Sequence, residues 1–137
     1  YPWSAFETAG VVNLDRDNTG DAGKQVTVIG LDAGYNQTQE TITLTNASNN
    51  TGSILFSRVF RAFVSDGVSN LGNINIQRNS TTVARITANA GQTLMTVYTV
   101  PAGYTGYLYK GTCSAQSNAD GSGYMYFRYF GQSTFRS

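Results

Sequence analysis

Apolar and small polar residues alternate with a period of two along much of this chain, which is how a strand with one buried face reads. Gln25-Val26-Thr27-Val28-Ile29 alternates, and so does Glu40-Thr41-Ile42-Thr43-Leu44-Thr45. Gly30, Gly34 and Asn36 between them tolerate positive φ, so the pair predicts a hairpin with a longer loop. Asn73-Ile74-Asn75-Ile76-Gln77-Arg78 and Thr82-Val83-Ala84-Arg85-Ile86 predict a second hairpin across Asn79-Ser80. Residues 93–100 predict a further strand with Leu94, Thr96, Tyr98 and Val100 on one face. Pro101-Ala102-Gly103 reads as a turn and residues 106–110 as the strand that follows it. Tyr124-Met125-Tyr126-Phe127-Arg128-Tyr129-Phe130 predicts a last strand, apolar on both faces, whose edge needs a partner or a cover.

The most apolar run is residues 54–64. Phe56, Phe60, Ala62 and Val64 lie on one face, and Leu55, Val59 and Phe63 on the other. Periodicity alone allows a helix here; the β-branched and aromatic content favours a strand. Burial on both faces predicts a central strand. Polar stretches at residues 11–23, 46–53, 65–71 and 114–123 read as loops. Residues 1–6 are aromatic without a period and read as an arm that packs on a neighbour. The fold expected is all-β: an antiparallel β-sandwich, jelly-roll-like, of about eight strands. Residues 24–137 would form it, with residues 1–23 as N-terminal arm and loop.

At 137 residues the chain can bury a core of its own. Only 12% of its residues are charged, against about 25% in an ordinary soluble domain, so its surface is covered by Thr, Ser, Asn, Gln and Gly, or by other protein. A net charge of +1, with the basic residues scattered, gives no field for nucleic acid. No stretch approaches the roughly 20 apolar residues of a membrane-spanning helix, and no membrane partner is expected. Arg58 and Arg61 fall inside the apolar run. Each is either a satisfied ion pair or exposed edge, or an interface arginine against a neighbouring subunit. Cys113 is the one cysteine, so no disulfide closes within the chain, and it reads as a small buried filler. Beginning at Tyr1-Pro2-Trp3 without Met, the chain reads as part of a longer or processed product.

There is no His, which removes Ser-His-Asp and Cys-His nucleophilic sets and His-containing zinc sites from this chain. No phosphate-cradling or dinucleotide loop occurs. The acids lie mostly in predicted loops, so neither a catalytic pair nor a catalytic residue is assigned. Asp15-Arg16-Asp17-Asn18-Thr19-Gly20-Asp21 starts like a calcium loop, but Val26 stands where the bidentate Glu belongs. An Asx-rich turn is the plainer reading, and no metal or cofactor is expected. Nine Tyr and seven Phe remain. Tyr104, Tyr107, Tyr109, Tyr124, Tyr126 and Tyr129 either fill the core or a subunit interface, or stack on sugars. The interface candidates are Trp3, Phe6, Arg58, Arg61, Tyr104, Tyr107, Tyr109, Tyr126 and Tyr129.

A resemblance adds to this. Gly30-Leu31-Asp32-Ala33-Gly34-Tyr35-Asn36 leads into Glu40-Thr41-Ile42-Thr43-Leu44, then Arg61-Ala62-Phe63-Val64, Asn73-Ile74 and Thr93-Leu94-Met95. Tyr98-Thr99-Val100-Pro101-Ala102-Gly103-Tyr104-Thr105-Gly106-Tyr107-Leu108 closes the series. Over residues 26–130 this order resembles a family of uncharacterised virion structural proteins of tailed phages, especially phages of marine bacteria. The resemblance implies a particle component rather than an enzyme, fixes no location on the particle, and carries no catalytic residues; the low charge and the aromatic first and last segments add the expectation of a place on the virion surface. It leads us to expect a capsid decoration or cement protein, a homo-oligomer that contacts the major capsid protein or other virion subunits. The alternative is a head- or tail-fibre module that binds host glycan.

Overall fold

In the computed structural model, residues 1–46, 49–112, 123–129, 132, 134 and 136 are described. The described strands are β1 (Asn13–Arg16), β2 (Gln25–Asp32), β3 (Gln37–Thr43), β4 (Asn49–Thr51), β5 (Phe56–Val64), β6 (Ile74–Arg78) and β7 (Thr81–Ile86). Two 3-10 turns, Trp3–Phe6 and Thr19–Asp21, complete the described elements. The strands form two antiparallel sheets, β4-β1-β6-β7 and β3-β2-β5. The chain is therefore an all-β sandwich, with seven described strands where about eight were expected.

Both expected hairpins form. Val26 pairs with Ile42 in the first, whose turn is built by Asp32: its Oδ1 accepts from the Gly34 and Asn36 N–H groups (2.8 and 2.9 Å). In the second, Arg78 pairs with Thr81, and Asn79 and Ser80 between them both take positive φ (48° and 62°). That is the turn whose twist matches the flanking strands. The core lies between the sheets: Leu14, Ile74, Ile76, Ala84 and Ile86 from one, Val26, Val28, Ile42, Val59 and Ala62 from the other. β2 contributes Val26 and Val28, and β6 Ile74 and Ile76, alternate residues as the period of two requires.

Several expectations need correcting. Residues 11–23, read as loop, contain β1, an inner strand of the four-stranded sheet, with Val12 and Leu14 fully buried. The alternation there is too short, among Asp and Asn, to stand out. The supposed arm is likewise part of the sandwich, because Phe6 is 3% exposed and lies in the core. Contacts divide the chain into Tyr1–Thr105 and Gly106–Ser137, not at residue 24, and every described strand belongs to the first unit. Residues 93–100, 106–110 and the described part of 124–130 form no strand. The last holds a single bridge between Phe127 and Arg136. Cys113 and Phe130 lie outside the described residues, as does most of the loop at 114–123.

The apolar run is β5, but β2 is the central strand and β5 lies at the sheet's edge. Two register shifts against β2 leave Ser57 and Phe60 without an opposite residue. These bulges interrupt the alternation, so Phe56, Ser57, Arg58, Val59 and Phe60 are buried in succession. Gly30 sits at one shift, where any Cβ would run into the Arg58 carbonyl oxygen. Pieces of chain that are not strands cover the outer edge of β5. Gly10 and Phe56 exchange two backbone bonds (3.0 and 2.9 Å). The Val59 N–H donates to Tyr1 Oη (3.2 Å). The Ala62 N–H donates to Thr93 Oγ1 (3.0 Å), its carbonyl accepts from the Thr93 N–H (2.8 Å), and the Val64 N–H donates to the Gly91 carbonyl (2.8 Å).

Asn70, in the loop before β6, is fully buried and ties that loop to the chain after β7. Its Nδ2 donates to the Gly72 and Thr87 carbonyls (2.6 and 2.9 Å), and its Oδ1 accepts from the Gly91 N–H (2.9 Å). Buried polar groups left unpaired are costly. Asn70→Ala is expected to cost about 3 kcal/mol in urea unfolding, because three backbone groups lose their partner together. A loss within ~0.5 kcal/mol would mean that water replaces the side chain there.

Candidate interaction surface

The sequence candidates fall into two groups in space. Trp3, Phe6 and Arg58 come together, with Tyr1 and Tyr35, against the β5 edge. The 3-10 turn folds the first residues back, so that the Tyr1 ring lies 4.5 Å from Trp3 and 5.9 Å from Phe6, centroid to centroid. The Arg58 guanidinium lies 5.3 Å from the Trp3 ring and 5.7 Å from the Tyr35 ring. Its Nη1 donates to the Ser57 and Phe6 carbonyls (2.5 and 3.3 Å). Arg58 is only 8% exposed, and no carboxylate pairs with it among the described residues. Its Nε is buried without a hydrogen-bond partner. Ring faces and carbonyls hold the charge instead. Phe6 and Arg58 are thus committed within the chain, which corrects their reading as contacts to a neighbour. Tyr35 was missed because a positive-φ turn residue (φ 60°) carries no signal of the partner that folding brings to it.

Arg61 takes the other course. It is exposed on the sheet's outer face, where Nη2 donates to Gln92 Oε1 (2.7 Å) and the guanidinium sits 5.1 Å from the Phe63 ring. The tyrosine candidates are exposed as well: Tyr104, then Tyr107, Tyr109, Tyr126 and Tyr129 in the second unit, with Tyr109 97% exposed. Tyr124 joins them, so core filling is not their role. Within that unit, Tyr124 lies 6.4 Å from Tyr126, and Phe127 meets Tyr129 edge-on at 5.9 Å. Apart from Leu55, Val68 and Leu71, the exposed large apolar side chains among the described residues all follow Thr93.

Asp21, Asp32 and Glu40 serve the backbone. Asp21 is fully buried, and its two oxygens accept from the Leu71 and Gly72 N–H groups (2.7 and 2.9 Å). Asp17 Oδ2 accepts from Asn73 Nδ2 (2.7 Å). Two acids of the calcium-like loop are therefore engaged with the segment leading into β6. Among the described residues no three His, Cys, Asp or Glu side chains converge as metal ligands would. Hydrogen bonds, led by the Asn36 N–H, hold the Asp32 carboxyl below its ordinary range against a smaller effect of burial. Glu40 reaches across to the connection between β4 and β5, accepting from the Ser53 N–H and Oγ (both 2.6 Å) and the Ile54 N–H (3.1 Å). Burial pushes its carboxyl up, but these three donors together outweigh it and hold the group below its usual 4.5.

Two titrations follow from this geometry. Glu40 binds its proton less readily folded than unfolded, so its stabilising effect is present above about pH 4.5 and fades as pH falls through its lower folded value. The urea midpoint is expected to drop from about pH 5 to about pH 3, and more gently in Glu40→Gln. Equal slopes would show that Glu40 contributes nothing to acid sensitivity. Burial raises the Tyr1 phenol to about 12 from 10.0, against the Val59 N–H and Arg58, which pull it down. Its neutral form therefore stabilises the fold fully below 10.0, and that effect is lost as pH rises toward about 12. Ultraviolet titration should show a phenol ionising near 12 that is missing from Tyr1→Phe.

Compared with known proteins, the chain matches no family model, no curated protein and no solved structure.

Proposed function

We propose that this chain is a structural subunit on the surface of a tailed-phage virion, a capsid decoration or cement protein held by non-covalent contacts. One observation carries the reading most of the way: a closed sandwich core is joined to a stretch of exposed, uncharged tyrosine and aliphatic side chains from Leu94 onward. Interfaces favour Tyr for this purpose, because its ring packs and its hydroxyl keeps a partner. The resemblance along residues 26–130 supplies the particle. Two carboxylates of the sandwich, Asp21 and Glu40, are engaged in holding loops. Weak contacts repeated over a lattice add up through multivalency.

The exposed neighbours Tyr124 and Tyr126 favour a second reading, a stacking platform for sugar on a fibre module. Cryo-EM of purified particles of the phage that encodes this chain separates the two. The expected result is density for the sandwich at regular positions bridging major capsid subunits. Density only at a fibre tip would favour the glycan reading, and a glycan array would follow. Absence of the chain from purified particles by mass spectrometry would sink both. On the lattice, Tyr107→Ser with Tyr109→Ser is expected to lower occupancy roughly tenfold or more.

A further inference from the structure

Residues 94–100 are an extended segment with no ladder on it. Along 93–101 the side chains alternate strictly: Met95, Val97, Thr99 and Pro101 are half-buried, while Leu94, Thr96, Tyr98 and Val100 are exposed. That is strand geometry. The segment is fixed at both ends. The Thr93 N–H donates to the Ala62 carbonyl (2.8 Å), and the Ala102 N–H donates to the Tyr35 carbonyl (2.9 Å). Midway, the Tyr98 ring lies 5.0 Å from Phe60, and Met95 packs on the core. Between the two anchors, no backbone N–H or C=O of residues 94–100 has a hydrogen-bond partner among the described residues.

The edge strands of the three-stranded sheet, β3 and β5, are guarded. β3 is polar along its length, with Gln37, Gln39, Glu40, Thr41 and Thr43, and β5 is covered as described above. The segment at 94–100 has neither protection. From Thr93 to Tyr109 there is no charged residue, and no proline interrupts it before Pro101. An apolar, uncharged, unpaired edge is a template for another strand.

We propose that residues 94–100 pair antiparallel with the same residues of a second copy, about a two-fold axis at Val97. This deepens the reading of the chain as an assembling subunit and rests on it. The sequence of the segment is what selects a second copy. About Val97, Leu94 stands opposite Val100 of the second copy, Thr96 opposite Tyr98, and Met95 opposite Thr99. On the exposed face Leu94 meets Val100, apolar on apolar, and β-branched Thr96 meets the Tyr98 ring; no like charges oppose, and each of these pairings occurs twice, as an isologous contact requires. Both anchors already hold the strand extended, so little order remains to be lost on pairing. Seven residues a side fall short of the roughly 800 Å² per partner of a standard stable interface. The contact is therefore weak, and fills where copies are concentrated.

Sedimentation equilibrium over a wide concentration range tests this, with Leu94→Lys/Val100→Lys and Leu94→Lys/Val100→Glu as variants. The wild type is expected to form dimers at high concentration. The double lysine variant sets Lys against Lys and should weaken dimerisation at least tenfold. The Lys/Glu variant sets opposite charges face to face and should restore it. Unchanged urea midpoints for both variants establish that the fold is intact. A wild type that stays monomeric throughout, or variants that dimerise alike, overturns the proposal. A monomer that is nevertheless found on particles overturns this contact and leaves the virion reading standing. A dimer whose chain is absent from particles does the reverse.

Discussion

The outer edge of β5 is the constraint on which the rest of this structure depends. Nine residues of largely apolar strand, buried on both faces for most of their length, end the three-stranded sheet instead of lying at its centre. Their outward backbone groups cannot be left in a dry interior without partners. Gly10, the Tyr1 hydroxyl, Gly91 and Thr93 provide those partners. Meeting that demand recruits both flanks of the sandwich. It draws the N-terminal turn inward, stacks Tyr1 on Phe6, and brings Trp3 over Arg58. It also pins Thr93, and so sets where the chain beyond it starts.

The joins between strands follow a common rule. In a chain with few charges, polar side chains are placed where a loop would otherwise bury bare backbone. Asp21 receives the two N–H groups ahead of β6, Glu40 those ahead of β5, and Asn70 links the segments on either side of the second hairpin. Asn50 does the same for β4, accepting from the Thr45 N–H (2.7 Å) and donating to the Leu14 carbonyl (3.2 Å). Four polar side chains thus act as architecture. At Arg58 a buried charge is held by rings and carbonyls in place of an opposite charge, which costs less when the cation is the diffuse guanidinium.

A functional reading follows from the contrast between the two parts of the chain. Up to Thr93 the large apolar side chains are mostly buried; beyond it they are mostly exposed and nearly free of charge. A surface of that kind favours contact with other protein over turnover of a substrate. It is on this contrast that the proposal of adhesion to a particle, and to other copies on it, rests.

The sequence by itself determined the fold class, because a period of two and positive-φ turn residues are local properties. The hairpin joining residues 25–29 to 40–45 and the Asn79-Ser80 turn were legible in the sequence, though not the pairing of Val26 with Ile42. It also determined that the tyrosines after Val100 are available for contact or core, without saying which. Only the tertiary structure decided that β5 is an edge, since burial of both faces does not reveal which strand supplies the hydrogen bonds. Only it showed β1 inside a sheet, where four residues are too short a pattern to rise above the Asp and Asn around them. It alone separated Arg58 from Arg61, two similar arginines three positions apart: one lies beneath Trp3 and the other faces water. The physical reason is the same in each case. Alternation is written in neighbouring residues, whereas edge, partner and exposure depend on chain tens of residues away.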